Sequence, residues 1–172
     1  RALEKKTKFN FSNKSIYIIG AGGAAYGIIS ELIKKKVEKI HITNRTKQKT
    51  IQLVNFFKTK NKKINLEFVE WKDLVPNSDV DLIINTTSFG MKDNECLKID
   101  INNLKDTLIF VDIIYNPKET ELLKLFKKEG FVCMNGLSML IEQAAVSFEL
   151  WFNISLNNKD IEEVKKICEA SY

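Results

Sequence analysis

The sequence of 172 residues has little cysteine, proline and histidine, with 3 Cys, 2 Pro and 1 His. The cysteines are Cys96, Cys133 and Cys168, an odd and scattered set that excludes a disulfide scaffold and indicates reduced thiols in a cytoplasmic protein. One histidine and no closely spaced cysteine pair are typical of a protein without a metal site. The apolar runs are too short for a transmembrane helix, so we expect no membrane partner.

The composition indicates a globular chain with one hydrophobic core. Hydrophobic residues make up 44% and charged residues 28%, which excludes a disordered or fibrous chain. The net charge is +5, but lysine runs at residues 34–36 and 60–63 are dispersed, so we expect no nucleic-acid partner. An anionic small ligand is compatible with this charge. We expect a single domain over residues 1–172, either processed at its start or part of a longer protein, since residue 1 is Arg.

Apolar periodicity predicts an α/β fold. Helical stripes lie at residues 24–36, 47–58 and 119–129, followed by two further predicted helices at 138–152 and 160–170. Between them stand six short β-branched runs, at residues 15–19, 39–43, 65–69, 81–85, 108–112 and 131–133. This alternation predicts a doubly wound parallel sheet of the Rossmann type, about six strands, with helices on both faces. Residues 86–106 are expected to form a functional loop and a weak helix.

A glycine-rich turn follows the first predicted strand. Its residues are Gly20, Ala21, Gly22, Gly23, Ala24 and Ala25. The glycine at 20 permits a tight turn, the one at 22 lets the main chain approach a pyrophosphate, and the alanine at 25 keeps helix and strand close. Because the turn lies between a strand and a helix, it predicts a dinucleotide site rather than a purely structural turn.

The end of the second predicted strand indicates which dinucleotide binds. An NAD site usually carries a carboxylate here, whereas this chain has Asn44, Arg45, Thr46, Lys47 and Lys49. A guanidinium, a hydroxyl and ammonium groups would hold a 2′-phosphate that a carboxylate would repel. The alternative is a solvated helix start, but the glycine-rich turn upstream favours NADP.

Other polar residues follow later strands at the same expected edge of the sheet. Thr86 and its neighbours either contact a ligand or form a turn, and Tyr115 is either a core aromatic or a polar group in a cleft. Gln143 needs a hydrogen-bond partner in an otherwise apolar helix. His41 lies within the second predicted strand, so we expect a structural role for it.

These segments together resemble shikimate dehydrogenase, specifically its NADP-binding domain, over about residues 14–152. The glycine-rich turn and the Asn44–Thr46 loop are followed by Asn85 to Ser88 with Gly90-Met91 and by Asp112 with Tyr115 to Thr120. The remaining matching segments are Asn135 to Leu137, Met139-Leu140, Gln143-Ala144 and Phe148 to Trp151. The combination is far more specific than any single motif.

The resemblance implies an NADP-dependent reduction of 3-dehydroshikimate to shikimate, in the pathway to chorismate and the aromatic amino acids. It implies that Ile113 and Gly136 line the nicotinamide end of the cofactor, that Met139 is a further cofactor contact, and that Tyr115 and Gln143 reach the substrate. Members often carry Arg or Lys where this chain has Tyr26-Gly27, which removes one possible phosphate cation. Quinate use, NAD use and a non-catalytic regulatory module remain the alternatives.

The resemblance also implies a second domain. Family members have an N-terminal domain that binds substrate and carries a Lys and an Asp for proton transfer, so we expect no catalytic residue in this chain and no meaningful turnover by it alone. Residues 1–13 are then a connecting segment, 14–152 the Rossmann core and 153–172 a C-terminal helix that packs towards that domain. Its apolar residues would be partly exposed here, which makes a homodimer possible.

Overall fold

The computed structural model describes residues 1–72, 74, 76, 78–92 and 97–171, the last without its side chain. Cys96 therefore lies outside the described residues, while Cys133 and Cys168 are free thiols. The strands are β1 (Ser15–Ile19), β2 (Lys39–Thr43), β3 (Leu66–Phe68), β4 (Leu82–Asn85), β5 (Ile109–Asp112) and β6 (Val132–Met134). The helices are α1 (Ala2–Thr7), α2 (Gly23–Lys34), α3 (Lys47–Lys60), α4 (Glu121–Lys128), α5 (Leu137–Phe152) and α6 (Asn158–Ser171).

The six strands form one sheet in the order β3-β2-β1-β4-β5-β6, and every neighbouring pair is parallel. This order confirms the predicted doubly wound Rossmann-type fold. The chain adds β2 and β3 on one side of β1 and then β4, β5 and β6 on its other side, so the strand order reverses between β1 and β4. In doubly wound sheets, the crevice at this reversal binds ligands. The predicted strands agree with the structure to within one residue and the predicted helices to within two.

Two hydrophobic cores lie on opposite faces of the sheet. Ile16 and Ile18 of β1 pack with α1, α2 and α3, whereas Tyr17 and Ile19 pack with α4 and with residues 97–108. The strands are continuous apolar runs because both of their faces are covered in this way. Among the helices that the structure describes, none is long and apolar enough to cross a membrane.

The prediction of a weak helix within residues 86–106 is wrong for the described part of that segment. This part contains only turns and extended chain. Asp100 accepts hydrogen bonds from the main-chain N–H and the side-chain amide of Asn102, which favours a turn. Leu97 and Ile99 are buried in the core on the α4 face, so their apolar spacing reflects an extended segment packed on that core.

Candidate functional site

The glycine-rich turn lies at the carboxyl edge of the sheet, beside the reversal point between β1 and β4. Gly20 has φ +113°, a conformation that favours glycine, and a Cβ there would overlap the hydroxyl oxygen of Thr86. That hydroxyl donates to the carbonyl oxygen of Ile19 at 2.9 Å. The tight turn predicted at Gly20 is therefore also a point of close approach between the turn and the loop that follows β4.

Helix α2 begins directly after this turn and presents an open N-terminus. Gly22 is its N-cap, and within the described part of the chain no side-chain capping hydrogen bond closes the first turn. A Cβ built at Gly22 or Gly23 would meet nothing within 4 Å, whereas Ala25 is fully buried against the sheet. The first N–H groups of a helix have no acceptor within the helix, so this N-terminus has both the space and the donors for an anionic group.

A basic cleft of about 240 Å³ lies over the ends of β1 and β2. Arg45 and Lys49 are the two charged residues that line it, and both are exposed cations beside the glycine-rich turn. The side-chain amide of Asn44 donates to the carbonyl oxygen of Thr46 at 3.0 Å and so shapes the turn that carries Arg45. The cleft can attract an anion close to the phosphate-sized space at α2.

Lys47 does not lie with this group, although the sequence places it between Thr46 and Lys49. Its ammonium group pairs with Glu70 and sits 5.3 Å from the ring centroid of Phe68. Lys47 is the first residue of α3, and the fold brings the end of β3 next to it. We therefore do not include Lys47 in the basic cleft.

Four further residues line the basic cleft: Trp71, Thr87, Ser88 and Phe89. The guanidinium carbon of Arg45 lies 5.3 Å from the ring centroid of Phe89, and the rings of Phe89 and Trp71 have centroids 6.1 Å apart. Thr87 and Ser88 belong to the loop after β4 whose hydroxyls were expected either to contact a ligand or to form a turn, whereas Trp71 and Phe89 were not predicted as site residues. No local sequence pattern indicates that the two aromatic residues line a site, because they follow different strands and contact each other only in the folded chain.

A second cleft, of about 470 Å³, lies over the ends of β4 and β5. It shares Thr86, Thr87 and Ser88 with the basic cleft, so one loop forms a wall of both. Ile113 and Tyr115 also line it, which places Tyr115 at a cleft rather than in the core. The two clefts together form a long crevice that changes from basic to uncharged along the carboxyl edge.

The start of α5 packs tightly against this second cleft. A Cβ at Gly136 would overlap the carbonyl oxygen of Ile113, and the N–H of Gly136 donates to the carbonyl oxygen of Ile114 at 2.9 Å. Glycine is needed here because of the close approach of two main chains, not because of its φ. Met139 is half-buried and Gln143 exposed on the same helix, and the structure places neither among the residues that line the two clefts.

A buried carboxylate connects the loops that form the crevice. Asp112, at the end of β5, accepts hydrogen bonds from the side-chain amide of Asn85 at 3.1 Å, the N–H of Ile114 at 3.1 Å and the hydroxyl of Thr120 at 2.7 Å. The oxygen of the Asn85 amide in turn accepts from the N–H and the hydroxyl of Thr87. Burial raises the pKa of Asp112, and the three hydrogen bonds only partly oppose this shift.

His41 and Cys133 lie away from this chemistry. His41 is buried in β2 with its Nδ1 3.7 Å from a carboxylate oxygen of Glu67, and burial is the main cause that lowers its pKa. Burial also raises the pKa of the Cys133 thiol to about 11, so this thiol is protonated at neutral pH. Neither residue lines the two clefts of the carboxyl edge.

Helices α5 and α6 leave an apolar surface. Between them runs a groove of about 340 Å³ whose lining includes Phe148 and Val164. Nearby Trp151 is 78% exposed, and Ile167 is 61% exposed on the apolar face of α6. The exposed apolar residues on α6 agree with the pattern read from the sequence. Their expected partner, a further domain or a second copy of the chain, stays a prediction.

Comparison with known proteins identifies the family. A family model described as "Shikimate / quinate 5-dehydrogenase" matches residues 2–127, and one described as "Shikimate 5'-dehydrogenase C-terminal domain" matches residues 136–164. Two similar relatives are named "Shikimate dehydrogenase (NADP(+))". The protein from Pelagibacter ubique is 39% identical over 87% of this chain, and that from a Geobacillus species is 37% identical over 97%. The chain spans 53% and 59% of the length of these two relatives.

Solved structures agree with this result. A shikimate dehydrogenase crystallised with NADP⁺ matches 99% of this chain and 58% of its own with a TM-score of 0.84 and 36% identity. A ligand-free 5-ketofructose reductase of Gluconobacter matches 99% of this chain and 60% of its own with a TM-score of 0.85 and 26% identity. The first family model covers more than half of the sequence, and its matched residues include all those that line the two clefts. The chain therefore belongs to the shikimate/quinate 5-dehydrogenase family.

Proposed function

We propose that this chain is the NADP-binding part of a shikimate dehydrogenase, which reduces 3-dehydroshikimate reversibly to shikimate with NADPH. The observation that carries the proposal is the basic cleft, where Arg45 and Lys49 lie beside the glycine-rich turn with no carboxylate among the lining residues. Relatives named as NADP(+) enzymes and a neighbour crystallised with NADP⁺ support it. An anionic pocket at this place would favour NAD instead.

The residues present fit the cofactor. The open N-terminus of α2 supplies N–H groups for a pyrophosphate, and no described atom lies within 4 Å of a Cβ built at Gly22. Arg45, Thr46 and Lys49 would hold the 2′-phosphate through charge-assisted hydrogen bonds. Thr86 and the second cleft, with Ile113 on its wall, would then hold the nicotinamide end.

When it is bound, NADPH supplies the hydride for reduction of a carbonyl. Residues of this chain then position the reacting ends: the loop shared by the two clefts fixes the depth of the crevice, and Tyr115 offers a hydroxyl at its uncharged end. Carbonyl reduction also requires a proton donor beside the oxygen, and we assign none among the described residues. The expectation that the chain alone has no meaningful turnover stays a prediction, tested by assaying shikimate oxidation with NADP⁺.

Quinate is the second candidate substrate, because the matching family model is described for both shikimate and quinate dehydrogenases. Quinate carries the elements of water across the ring double bond of shikimate, so it has one more hydroxyl group and a saturated ring. Measuring oxidation of both compounds under the same conditions distinguishes the candidates. The further domain, the homodimer and the cytoplasmic location also stay predictions.

Binding measurements test the cofactor proposal directly. Titration calorimetry should show tighter binding of NADP⁺ than of NAD⁺. The substitution Arg45→Asp should weaken NADP⁺ binding by about 1–3 kcal/mol, because a charge-assisted contact is replaced by repulsion, and should leave NAD⁺ binding unchanged or improved. Lys58→Asp is the matched control, since Lys58 is an exposed cation on α3 outside the cleft. Equal affinities of the wild-type chain for both dinucleotides would contradict the proposal.

A further inference from the structure

Arg45, Phe89 and Trp71 form a stack of three side chains on one wall of the basic cleft. The guanidinium carbon of Arg45 lies over the ring of Phe89 at 5.3 Å from its centroid. The ring of Phe89 lies against Trp71, with centroids 6.1 Å apart and planes inclined by 31°. These distances are in the ranges at which cations and aromatic rings attract one another. The three residues follow three different strands, so the stack exists only in the folded chain.

The aromatic part of this stack is anchored in the protein. Phe89 and Trp71 are both half-buried and pack against the hydrophobic core on the α4 face of the sheet. The N–H of Phe89 donates to the hydroxyl of Thr87, which donates to the Asn85 amide, and that amide donates to Asp112. The position of the Phe89 ring is therefore fixed from two sides, by apolar packing and by a chain of hydrogen bonds that ends at a buried carboxylate.

Arg45 itself is exposed, and no hydrogen bond or ion pair to another described residue anchors its side chain. A free arginine side chain loses rotamer entropy when it is ordered by a ligand, and this loss reduces affinity. Contact with an aromatic ring uses the face of the guanidinium group and leaves the N–H groups at its edge free to donate to an anion. An arginine already held on a ring therefore loses less entropy on binding a phosphate than a mobile one does.

We propose that Phe89, supported by Trp71, is a specificity-determining residue that holds Arg45 ready for the 2′-phosphate of NADP. This inference rests on the proposed function. It adds that discrimination between NADP and NAD depends on an aromatic platform as well as on the cations. The platform acts on Arg45 and not on the adenine, so its removal lowers affinity for NADP selectively.

The test compares dissociation constants of NADP⁺ and NAD⁺ in variants of the full chain. Phe89→Leu should reduce the NADP⁺ over NAD⁺ preference by about two- to fivefold, as expected for a lost cation–π contact at an exposed site. Phe89→Tyr keeps an aromatic face and should keep the preference. Phe56→Leu is the matched control, because Lys60 lies 4.2 Å from the Phe56 ring centroid in a similar pair outside the cleft.

A double-mutant cycle identifies the route of the effect. In an Arg45→Gln background, Phe89→Leu should cause no further loss of preference, because the cation that the ring holds is gone. Trp71→Leu should produce a smaller selective loss and serves as the second variant if Phe89→Leu does not fold, which thermal unfolding shows.

The outcomes separate the two proposals. A wild-type chain without preference for NADP⁺ overturns the proposed function itself. A wild-type preference that Phe89→Leu leaves unchanged overturns only the platform. Equal losses of affinity for NADP⁺ and NAD⁺ also overturn the platform. They would show that the Phe89 ring contacts the adenine, which both cofactors share.

Discussion

Two aspartates at opposite edges of the sheet are held in opposite ways. Asp81 precedes β4 at the amino edge, where Lys105 and Lys14 donate to its carboxylate at 2.8 and 3.0 Å and the N–H of Ser15 donates at 2.9 Å. Asp112 ends β5 at the carboxyl edge, is fully buried, and accepts hydrogen bonds only from neutral groups among the described residues. One carboxylate is therefore paired with charges near solvent, and the other is surrounded by loops.

The pKa values of the two groups move in opposite directions. Partial burial raises the pKa of Asp81, but the hydrogen bonds from Lys105, Ser15 and Lys14 together outweigh it, so the pKa lies below its ordinary value. Burial dominates at Asp112 and raises its pKa. The amino edge thus gains ion pairing that stabilises the fold. At the carboxyl edge, a buried acceptor joins the residues that end β4 and β5 to the start of α4.

The largest expected effect concerns packing at the carboxyl edge. Gly136→Ala should destabilise the chain by about 3 kcal/mol or more, because the new Cβ would overlap the carbonyl oxygen of Ile113 and main chain must move. Urea unfolding measures the loss. Gly27→Ala is the control: Gly27 lies within α2 with open space around a Cβ, so this variant should gain about 0.5–1 kcal/mol. Equal stability of the two variants would contradict the close approach at Gly136.

The next expected effect separates the two aspartates. Asp112→Asn should cost about 2 kcal/mol of unfolding free energy, since an amide nitrogen replaces one of the two carboxyl oxygens that accept hydrogen bonds from three buried donors. It should also weaken NADP⁺ binding, because the Asn85 amide then loses the partner that fixes its orientation and the Thr87 loop becomes less ordered. Unfolding in urea and calorimetric titration measure the two effects.

Asp81→Asn is the matched change at the other edge and should have a smaller effect. We expect a loss of about 1 kcal/mol, because the two lysines are partly exposed and solvent screens their pairing. Binding of NADP⁺ should be unchanged, since Asp81 lies at the edge of the sheet remote from both clefts. Equal losses of cofactor affinity in the two variants would refute the division of roles between the edges.

The sequence was sufficient for those features that depend on local patterns. Strands such as Ser15–Ile19 are continuous apolar runs, and the helices that cover them have apolar residues at regular helical spacing. The type and the bounds of each of these elements could therefore be predicted from the sequence. The glycine-rich turn was found for the same reason, because its glycines are adjacent in sequence. The structure brings Arg45 and Lys49 together in the basic cleft because both follow β2 closely, and their part in cofactor binding stays a prediction.

The features that the sequence missed depend on where side chains meet across the fold. We expected Lys47 to lie with the other cations of the cleft, but its ammonium group pairs instead with Glu70, which follows β3. The Phe89–Trp71 pair is formed by loops after β4 and β3, which lie on either side of the sheet centre. The network of Asp112 joins β4, β5 and the start of α4, and no single segment reveals it.

The smallest expected effect is a difference in pH dependence. The folded-state pKa of Asp81 lies below its unfolded value, so the stability that it contributes is present above the unfolded pKa and is lost as the pH falls through the folded pKa. The folded-state pKa of Asp112 lies above its unfolded value, so its contribution decreases as the pH rises from the unfolded towards the folded pKa. Urea unfolding between about pH 7 and about pH 2.5 should therefore show that the stability lost in Asp112→Asn grows as the pH falls towards the ordinary pKa of an aspartate, whereas that lost in Asp81→Asn shrinks at lower pH. Because each comparison is between wild type and one variant, the titration of His41 and the other acids cancels. Slopes of the same sign would mean that the two carboxylates have similar surroundings, and the contrast between the two edges of the sheet would then not hold.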